Sequence, residues 1–206
     1  MSTSVRSANK SEIPAVAALL GSAFALDPSF RRILGERGRE ESEAELTTLS
    51  VTLIRHHYFD SGEVDVAVGD SGQILGAALW DRPGSTLGFK AKAAAAPQVV
   101  RLMGRRLAKE ILTAVRVGSY HPKFPHWYLF VIGAAPEAQG KGVGTALLAR
   151  GLERAGDDAA YLEATTPASA RLYQRMGFVP LGANPVPTPG QQPELGMWRP
   201  GAMPNS

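Results

Sequence analysis

The sequence predicts an α/β fold in one domain, and three observations carry that expectation. Between Trp127 and Leu181 strands and helices alternate strictly, with a glycine-rich loop after the first strand. Upstream, Val64, Val66 and Val68 alternate with Asp65 and Ala67, and the turn Asp70-Ser71-Gly72 leads into Ile74 to Trp80. That pattern predicts an antiparallel hairpin. Two amphipathic helical patterns precede the hairpin, and no linker between them marks a domain boundary.

Taken in order, Val5 to Ala8 is a first short strand, and Ser11 offers an N-cap with Pro14 tolerated in the first turn. Ile13, Val16, Leu20, Ala23 and Phe24 mark the buried stripe of that helix, which Asp27-Pro28 then breaks. A second helix is expected from about Glu40 to Tyr58, with Leu46, Leu49, Leu53 and Tyr58 inward. After the hairpin come a loop, an amphipathic helix carrying Val99, Met103, Leu107 and Ile111, and a proline-broken loop up to Pro125. Trp127 to Ala134 then reads as strand, Val143 to Ala155 as helix, Ala160 to Ala164 as strand, Pro167 to Met176 as helix and Phe178 to Leu181 as strand. Pro185, Pro187, Pro189 and Pro193 make an irregular stretch before Leu195 to Trp198, a final edge strand whose apolar edge suits pairing in a homodimer. The domain is expected over residues 1–200, with 201–206 a disordered tail.

Composition narrows the chemistry. An apolar content of 44% with 20% charged residues is that of a water-soluble globular chain, and no apolar run is long enough to span a membrane. The polar opening from Met1 to Glu12 lacks the apolar centre of a secretory signal, so the expected location is the cytoplasm. The absence of cysteine removes disulfides, thiolate metal sites and a cysteine nucleophile together. His56 and His57 are adjacent and point about 100° apart on a helix, while His121 and His126 lie in the proline-broken loop, so no metal site is expected. Net charge is only +3, although Lys90, Lys92, Arg101, Arg105, Arg106, Lys109 and Arg116 fall close together. Apolar residues between them make a solvated basic helix face, with neither the aromatic residues nor the module expected of a nucleic-acid surface.

The chemistry concentrates in Pro136 to Thr145, which joins the strand ending at Ala134 to the helix beginning near Gly142. Gly140, Gly142 and Gly144 leave backbone amides uncovered at a helix N-terminus, a site for a pyrophosphate, and Lys141 adds charge at its rim. Glycine in an opening turn costs about 1 kcal/mol each relative to alanine, which favours a compensating function. The Walker pattern fails, because Lys141 is followed by glycine and not by Ser or Thr. A dinucleotide loop of an NAD-dependent oxidoreductase remains a rival, since Glu163 ends the next strand about 20 residues on, where a ribose-binding acid is expected. Against it stand the G-x-G-x-G spacing and the gap between the strand tip and the loop.

Gln139-Gly140-Lys141-Gly142-Val143-Gly144 resembles the Q/R-x-x-G-x-G/A signature of the GNAT superfamily of acyl-CoA-dependent N-acyltransferases. Leu172-Tyr173-Gln174-Arg175-Met176-Gly177-Phe178 is similar to that family's L-Y-x-x-x-G-F run, and the two motifs together are far more specific than either alone. Gly133 in the strand and Pro136 before the loop further resemble the puromycin N-acetyltransferase branch. The resemblance implies an α/β (α+β) fold with a mixed, mostly antiparallel central sheet of six or seven strands and helices on both faces. It implies acetyl-CoA as the cofactor, held by Ile132, Gly133 and Ala134 at the strand end, by Gln139, Gly140, Lys141, Gly142, Val143, Gly144 and Thr145 of the loop, and by the Ser169 hydroxyl where relatives carry asparagine. A sheet that splays beyond the fourth strand would receive the pantetheine arm, with Gly133 read either as a packing glycine or as the place of a bulge or close approach.

The implied reaction is direct attack of a primary amine of a small molecule, or less readily of a peptide, on the thioester in a ternary complex. A backbone amide near Ala134 would stabilise the oxyanion, and Tyr173 would give a proton to the departing sulfur. An alkylammonium ionises near about 10.4, so a base is needed if the amine arrives charged. Glu163 is the first candidate, with His121 and Glu137 behind it, and a weakly basic amine would need none. Phe24, Asp27, Phe30, Trp80, His121 and Trp127 are expected to gather around the acceptor. A non-catalytic acyl-CoA sensor would keep the loop and lose only the acceptor chemistry.

Overall fold

The computed structural model describes residues 3–35, 37–104, 120–184 and 193–202. One seven-stranded sheet organises them: β1 (Ser4–Ser7), β2 (Gly62–Val68), β3 (Ile74–Asp81), β4 (Trp127–Ala134), β5 (Ala160–Ala164), β6 (Val179–Ala183) and β7 (Leu195–Arg199), in the order β1-β2-β3-β4-β5-β7-β6. Only β4 and β5 run parallel; the other pairs are antiparallel. The mixed, mostly antiparallel sheet is therefore as expected. One expectation is corrected: β7 is not an edge. Its backbone pairs with β5 on one side and β6 on the other, so it has no free edge for a second copy, and Met197 at its centre is fully buried. The edge on that side is β6.

Helices cover both faces. On one, α1 (Ile13–Phe24), α2 (Pro28–Leu34) and α3 (Arg39–Leu53) precede the hairpin, and α3 runs on through a wider π turn at Ile54–Tyr58 and a last turn at Phe59–Ser61. Val16, Leu20, Ile54 and Tyr58 pack there against Val64, Val66, Ala77 and Leu79. On the other face, α5 (Val143–Ala155) and α6 (Pro167–Arg175) bury Leu147, Leu148, Leu152 and Tyr173 against Trp80, Leu129 and Leu162. None of the described helices is long and apolar enough to cross a membrane.

Three local expectations shift. The cap before α1 is built by Asn9 and not Ser11: the Asn9 amide donates to the Glu12 carboxylate at 2.7 Å, opening a short 3-10 turn. Arg6 of β1 donates to both oxygens of the same carboxylate at 2.7 and 2.8 Å, which pulls the Glu12 pKa down to about 2. Asp27-Pro28 does end α1, but it also starts α2, because the Asp27 carboxylate accepts from the amides of Ser29 (2.8 Å) and Phe30 (3.4 Å). The basic helix, α4 (Phe89–Met103), buries Ala91, Ala95 and Leu102, while Val99 and Met103 are half-buried; Leu107 and Ile111 lie outside the described residues. Arg101 on α4 meets the carboxylate of Glu45 on α3 at 2.5 Å.

The hairpin alternation places Asp65 opposite the valine face, which suggests solvent; in the structure α5 covers that face and Asp65 is fully buried. Its carboxylate is hydrogen-bonded to the Arg154 guanidinium, which also lies 3.8 Å from Glu63. Burial pushes the Asp65 carboxyl above its ordinary value, and Arg154 works against that rise. A native carboxyl with a raised pKa binds more protons than the unfolded chain, so its contribution to stability declines as pH rises from the ordinary carboxylate value through the raised one. Replacing Arg154 with Met removes the opposing charge. We expect a loss of about 3–5 kcal/mol in urea unfolding at neutral pH, and a smaller loss at acid pH, where a carboxyl of raised pKa takes up its proton early. An equal loss at both values would mean that packing and not charge is lost.

Nearby, Gly151 of α5 lies against the indole of Trp80, and a Cβ there would stand 2.4 Å from ring atoms. Gly151→Val is expected to lower the midpoint of thermal unfolding by the equivalent of about 1–3 kcal/mol, since the buried indole has no free space to retreat into.

Candidate active site

The site begins where two strands part. β4 pairs with β5 at Trp127–Ala160, Tyr128–Tyr161 and Leu129–Leu162, and no pair follows although β4 continues to Ala134. Opposite β3, Trp80 pairs with Leu129 and Leu79 with Val131, so Phe130 is an extra residue, a bulge. Phe130 and Val131 consequently pack towards the same α1–α3 face. Gly133 is three residues beyond the bulge and serves close packing: a Cβ there would lie 3.1 Å from Phe24, 3.2 Å from Ala23 and 3.3 Å from Leu20 of α1. The Ala135 amide donates to the Leu75 carbonyl of β3 at 2.9 Å. Because successive amides of a strand point to opposite edges, the Ala134 amide faces the fork.

Beyond the strand, Pro136–Ala138 forms a 3-10 turn, and Gly140 (φ 74) and Gly142 (φ 83) take left-handed conformations. A Cβ on either would meet nothing within 4 Å, so these glycines answer to dihedral angle and not to crowding. Gly142 caps α5, whose first amides, on Val143, Gly144 and Thr145, have no acceptor inside the helix. The Gln139 side-chain amide reaches back to the Ala134 carbonyl at 3.4 Å and fastens loop to strand.

These parts enclose one cavity of about 670 Å³. It is lined by Ile132, Gly133 and Ala134, by Gln139, Gly140, Gly142, Val143, Gly144 and Thr145, by Ser169 and Tyr173 of α6, and by Phe24 and Asp27. Lys141 is exposed beside it and does not line it. Sequence reasoning did not single out Thr165, Thr166, Leu172 and Arg175, which also line it; Leu172 and Arg175 flank Tyr173 within the second motif, and that motif was the signal for them.

Two of these residues have prior engagements. The second oxygen of Asp27 accepts from Thr165 at 2.8 Å, while the first caps α2, so its carboxylate ties the α1–α2 corner to the β5–α6 loop and is not a free acid for an acceptor. The Ser169 hydroxyl donates to the Thr166 carbonyl at 2.9 Å within the cap of α6, which commits its proton there and not to a cofactor arm. Tyr173 is 6% exposed, and burial together with the negative Asp27 pushes its phenol well above the ordinary value. It therefore keeps its proton.

The remaining expected residues lie elsewhere. Trp80 is fully buried under α5, and Trp127 is 8% exposed with its indole N–H 3.3 Å from Asp158; both belong to the core on the α5 face, not to an acceptor site. Phe30 meets Phe24 with ring centroids 5.3 Å apart and lines a small apolar recess with Leu46, Leu53 and Phe130. Glu163 does not line the large cavity. It sits on the α1–α3 side of β5, accepting from the Tyr128 hydroxyl at 2.7 Å, and burial raises its pKa. His121 lies 4.0 Å from that carboxylate and 2.9 Å from His126, in a second cavity of about 350 Å³ that Tyr128 and Asp81 share. The Asp81 carboxylate is already bonded to His57 and to the Tyr58 hydroxyl (3.3 Å). Glu137 is exposed in the 3-10 turn. Among the described residues no group of three or more His, Asp or Glu side chains is placed to hold a metal ion.

The dinucleotide alternative fails on this geometry: a sheet with one parallel pair is not doubly wound, and Glu163 faces Tyr128 and not the glycine loop. Comparison with known proteins points the other way. The model of the acetyltransferase (GNAT) family matches residues 30–178, more than half of the chain. The crystal structure described as histone acetyltransferase HPA2 and related acetyltransferase, from Corynebacterium glutamicum, is 40% identical, with full coverage of both chains and a TM-score of 0.81. A phosphinothricin acetyltransferase from Sinorhizobium meliloti in complex with AcCoA shares the fold at 17% identity, covering 98% of this chain and 90% of that one with a TM-score of 0.56. Mycothiol acetyltransferase of Mycobacterium avium is 45% identical over 62 residues, and the match spans 24% of this chain and 20% of that protein's length. None of these three is a puromycin acetyltransferase, and Gly133, half of the resemblance to that branch, is accounted for by its contact with α1. With the family model covering most of its length and the sheet, fork and glycine loop in place, the chain belongs to the GNAT acetyltransferase family.

Proposed function

We propose that this chain transfers an acetyl group from acetyl-CoA to a primary amine of a small molecule, or less readily of a peptide, by direct attack in a ternary complex. One observation carries the reading: the open edge of β4, the unpaired amides at the start of α5 and Tyr173 all line one 670 Å³ cavity. The left-handed Gly140 and Gly142 fit a pyrophosphate, since their conformation keeps the loop amides uncovered and the helix terminus supplies partial positive charge. Lys141, exposed at the rim, adds a full charge. Acetyl-CoA held there supplies an activated acetyl thioester. The Ala134 amide, facing the fork, is the donor for the developing oxyanion. Tyr173, which its surroundings keep protonated, is the donor for the leaving sulfur.

Thermal unfolding with each ligand in excess tests the binding half. Acetyl-CoA and CoA at about 100 times their dissociation constants are expected to stabilise by about 2.7 kcal/mol, and NADH not at all. Absence of a shift with both thioester and thiol would remove the cofactor from the proposal. Thiol release from acetyl-CoA, measured over a panel of amines, tests the chemistry. Tyr173→Phe is expected to leave the acetyl-CoA shift intact and lower kcat by about 100-fold. Binding without turnover on any amine would instead support the acyl-CoA sensor.

A further inference from the structure

Two cavities meet at one aromatic ring. Besides the 670 Å³ cavity there is an apolar recess of about 30 Å³ between the sheet and α1 and α3, with Leu20, Phe30, Leu53, Phe130 and Val131 among its walls. Among the described residues Phe24 alone lines both. The bulge in β4 makes the two spaces neighbours. Val131 and Gly133, two residues apart, both turn towards α1, the first lining the recess and the second the large cavity. A strand advances about 6.6 Å over that interval, so little more than one ring stands between the spaces.

That ring is held in place. Phe24 is the last residue of α1, its Cε2 atom lies 3.1 Å from where a Cβ on Gly133 would stand, and its ring meets Phe30 with centroids 5.3 Å apart. The backbone that carries it is fixed by Asp27, whose carboxylate caps α2 and accepts from Thr165 of the β5–α6 loop. Phe24 therefore stands over the fork as a wall. Behind it, Ser50 is the one polar residue among the described walls of the recess. Such a space offers water too few hydrogen-bond partners and suits methylene groups.

We propose that Phe24 sets the length of the acyl group this site accepts, and that the recess behind it is the space a longer straight chain takes once the ring is shortened. The inference rests on the function proposed above. An acyl carbon carries three substituents in one plane. Its oxygen is directed to the Ala134 amide and its sulfur to Tyr173, which packs on the α5 face of the sheet. The third bond therefore leaves on the remaining side, towards α1, where Gly133 lies under Phe24. A methyl group ends there. Each further carbon runs into the ring of Phe24, and the apolar room beyond it is closed off. The covalent step is the same for any chain: the amine nitrogen bonds to the acyl carbon, the carbon–sulfur bond breaks, and the proton the nitrogen loses equals the one the sulfur gains.

Thioesters of two lengths test this, by turnover and by affinity. In the unaltered protein kcat/KM for butyryl-CoA is expected to lie at least about 10-fold below that for acetyl-CoA with the same amine. In Phe24→Ala the butyryl-to-acetyl ratio is expected to rise about 15-fold, two newly buried methylenes at about fourfold each. Dissociation constants measured by calorimetry without amine are expected to move the same way. Phe24→Leu, which keeps more of the packing at the corner, is expected to give a smaller rise. Adding Leu49→Phe, at a residue that lines the recess and not the large cavity, is expected to cancel the rise. An unchanged ratio in both Phe24 variants, a rise that survives Leu49→Phe, or equal use of the two thioesters by the unaltered protein would overturn the assignment. A change confined to preference among amines would place Phe24 at the acceptor and overturn it as well. Failure of the unaltered protein to release thiol from acetyl-CoA with any amine would count against the transferase function itself, and the dissociation constants would still decide whether Phe24 limits the chain. Absence of acetyl-CoA binding would remove both.

Discussion

The parting of β4 from β5 is the constraint on which the rest of the molecule depends. A parallel pair can be left after three residues only if both strands have other partners, and each does: β4 keeps β3 to the level of Ala134, and β5 keeps β7 to Ala164. The bulge at Phe130 sits at the same level as the separation and increases the local twist of β4. Backbone groups left without partners in the fork would be costly if buried dry. They are tolerable because the fork opens onto a cavity of about 670 Å³.

Around the fork the two faces of the sheet are built differently. The α5 face is tightly packed, with Trp80 against Gly151 and a buried carboxylate, Asp65, paired with Arg154. The opposite face, towards the ends of β4 and β5, carries Tyr128, Tyr161, His121, His126 and Glu163 in mutual contact. A buried ion pair is weak evidence of stabilisation and a poor candidate for chemistry when a helix covers it completely. A cluster of titratable groups beside an open cavity is a different matter.

How much of this could be read from the sequence follows the range of the interactions involved. Helix and strand positions from Trp127 to Arg175 were readable because they rest on local periodicity and on glycine and proline signals. The glycine loop was readable for the same reason: Gly140 and Gly142 have backbone angles that announce themselves in residue type. What failed was long-range. Placing β7 between β5 and β6 requires knowing that β6 pairs outward, and nothing within Leu195 to Arg199 records that. Trp80 and Trp127 were expected at an acceptor site as large aromatic residues, but strand alternation puts them on the α5 face, where aromatic residues serve as core. The pairing of Asp65 with Arg154 spans almost ninety residues, and nothing near either residue records it.

The two residues expected to handle protons illustrate why burial and position have to be considered together. Tyr173 and Glu163 are both raised in pKa, and in both the largest cause is the same, removal from water. The consequences are opposite. A phenol raised from near 10 stays protonated at any physiological pH, so burial fixes Tyr173 as a donor. A carboxyl raised from the ordinary range becomes a better base while it is ionised, and the Tyr128 hydroxyl at 2.7 Å keeps the ionised form available. The fork separates the two, since Tyr173 lines the large cavity and Glu163 stands behind it on the other face of β5. Their separation by a strand leaves the phenol at the large cavity and the carboxylate beside the histidine pair at the second one, so the same removal from water acts on two groups in two different surroundings.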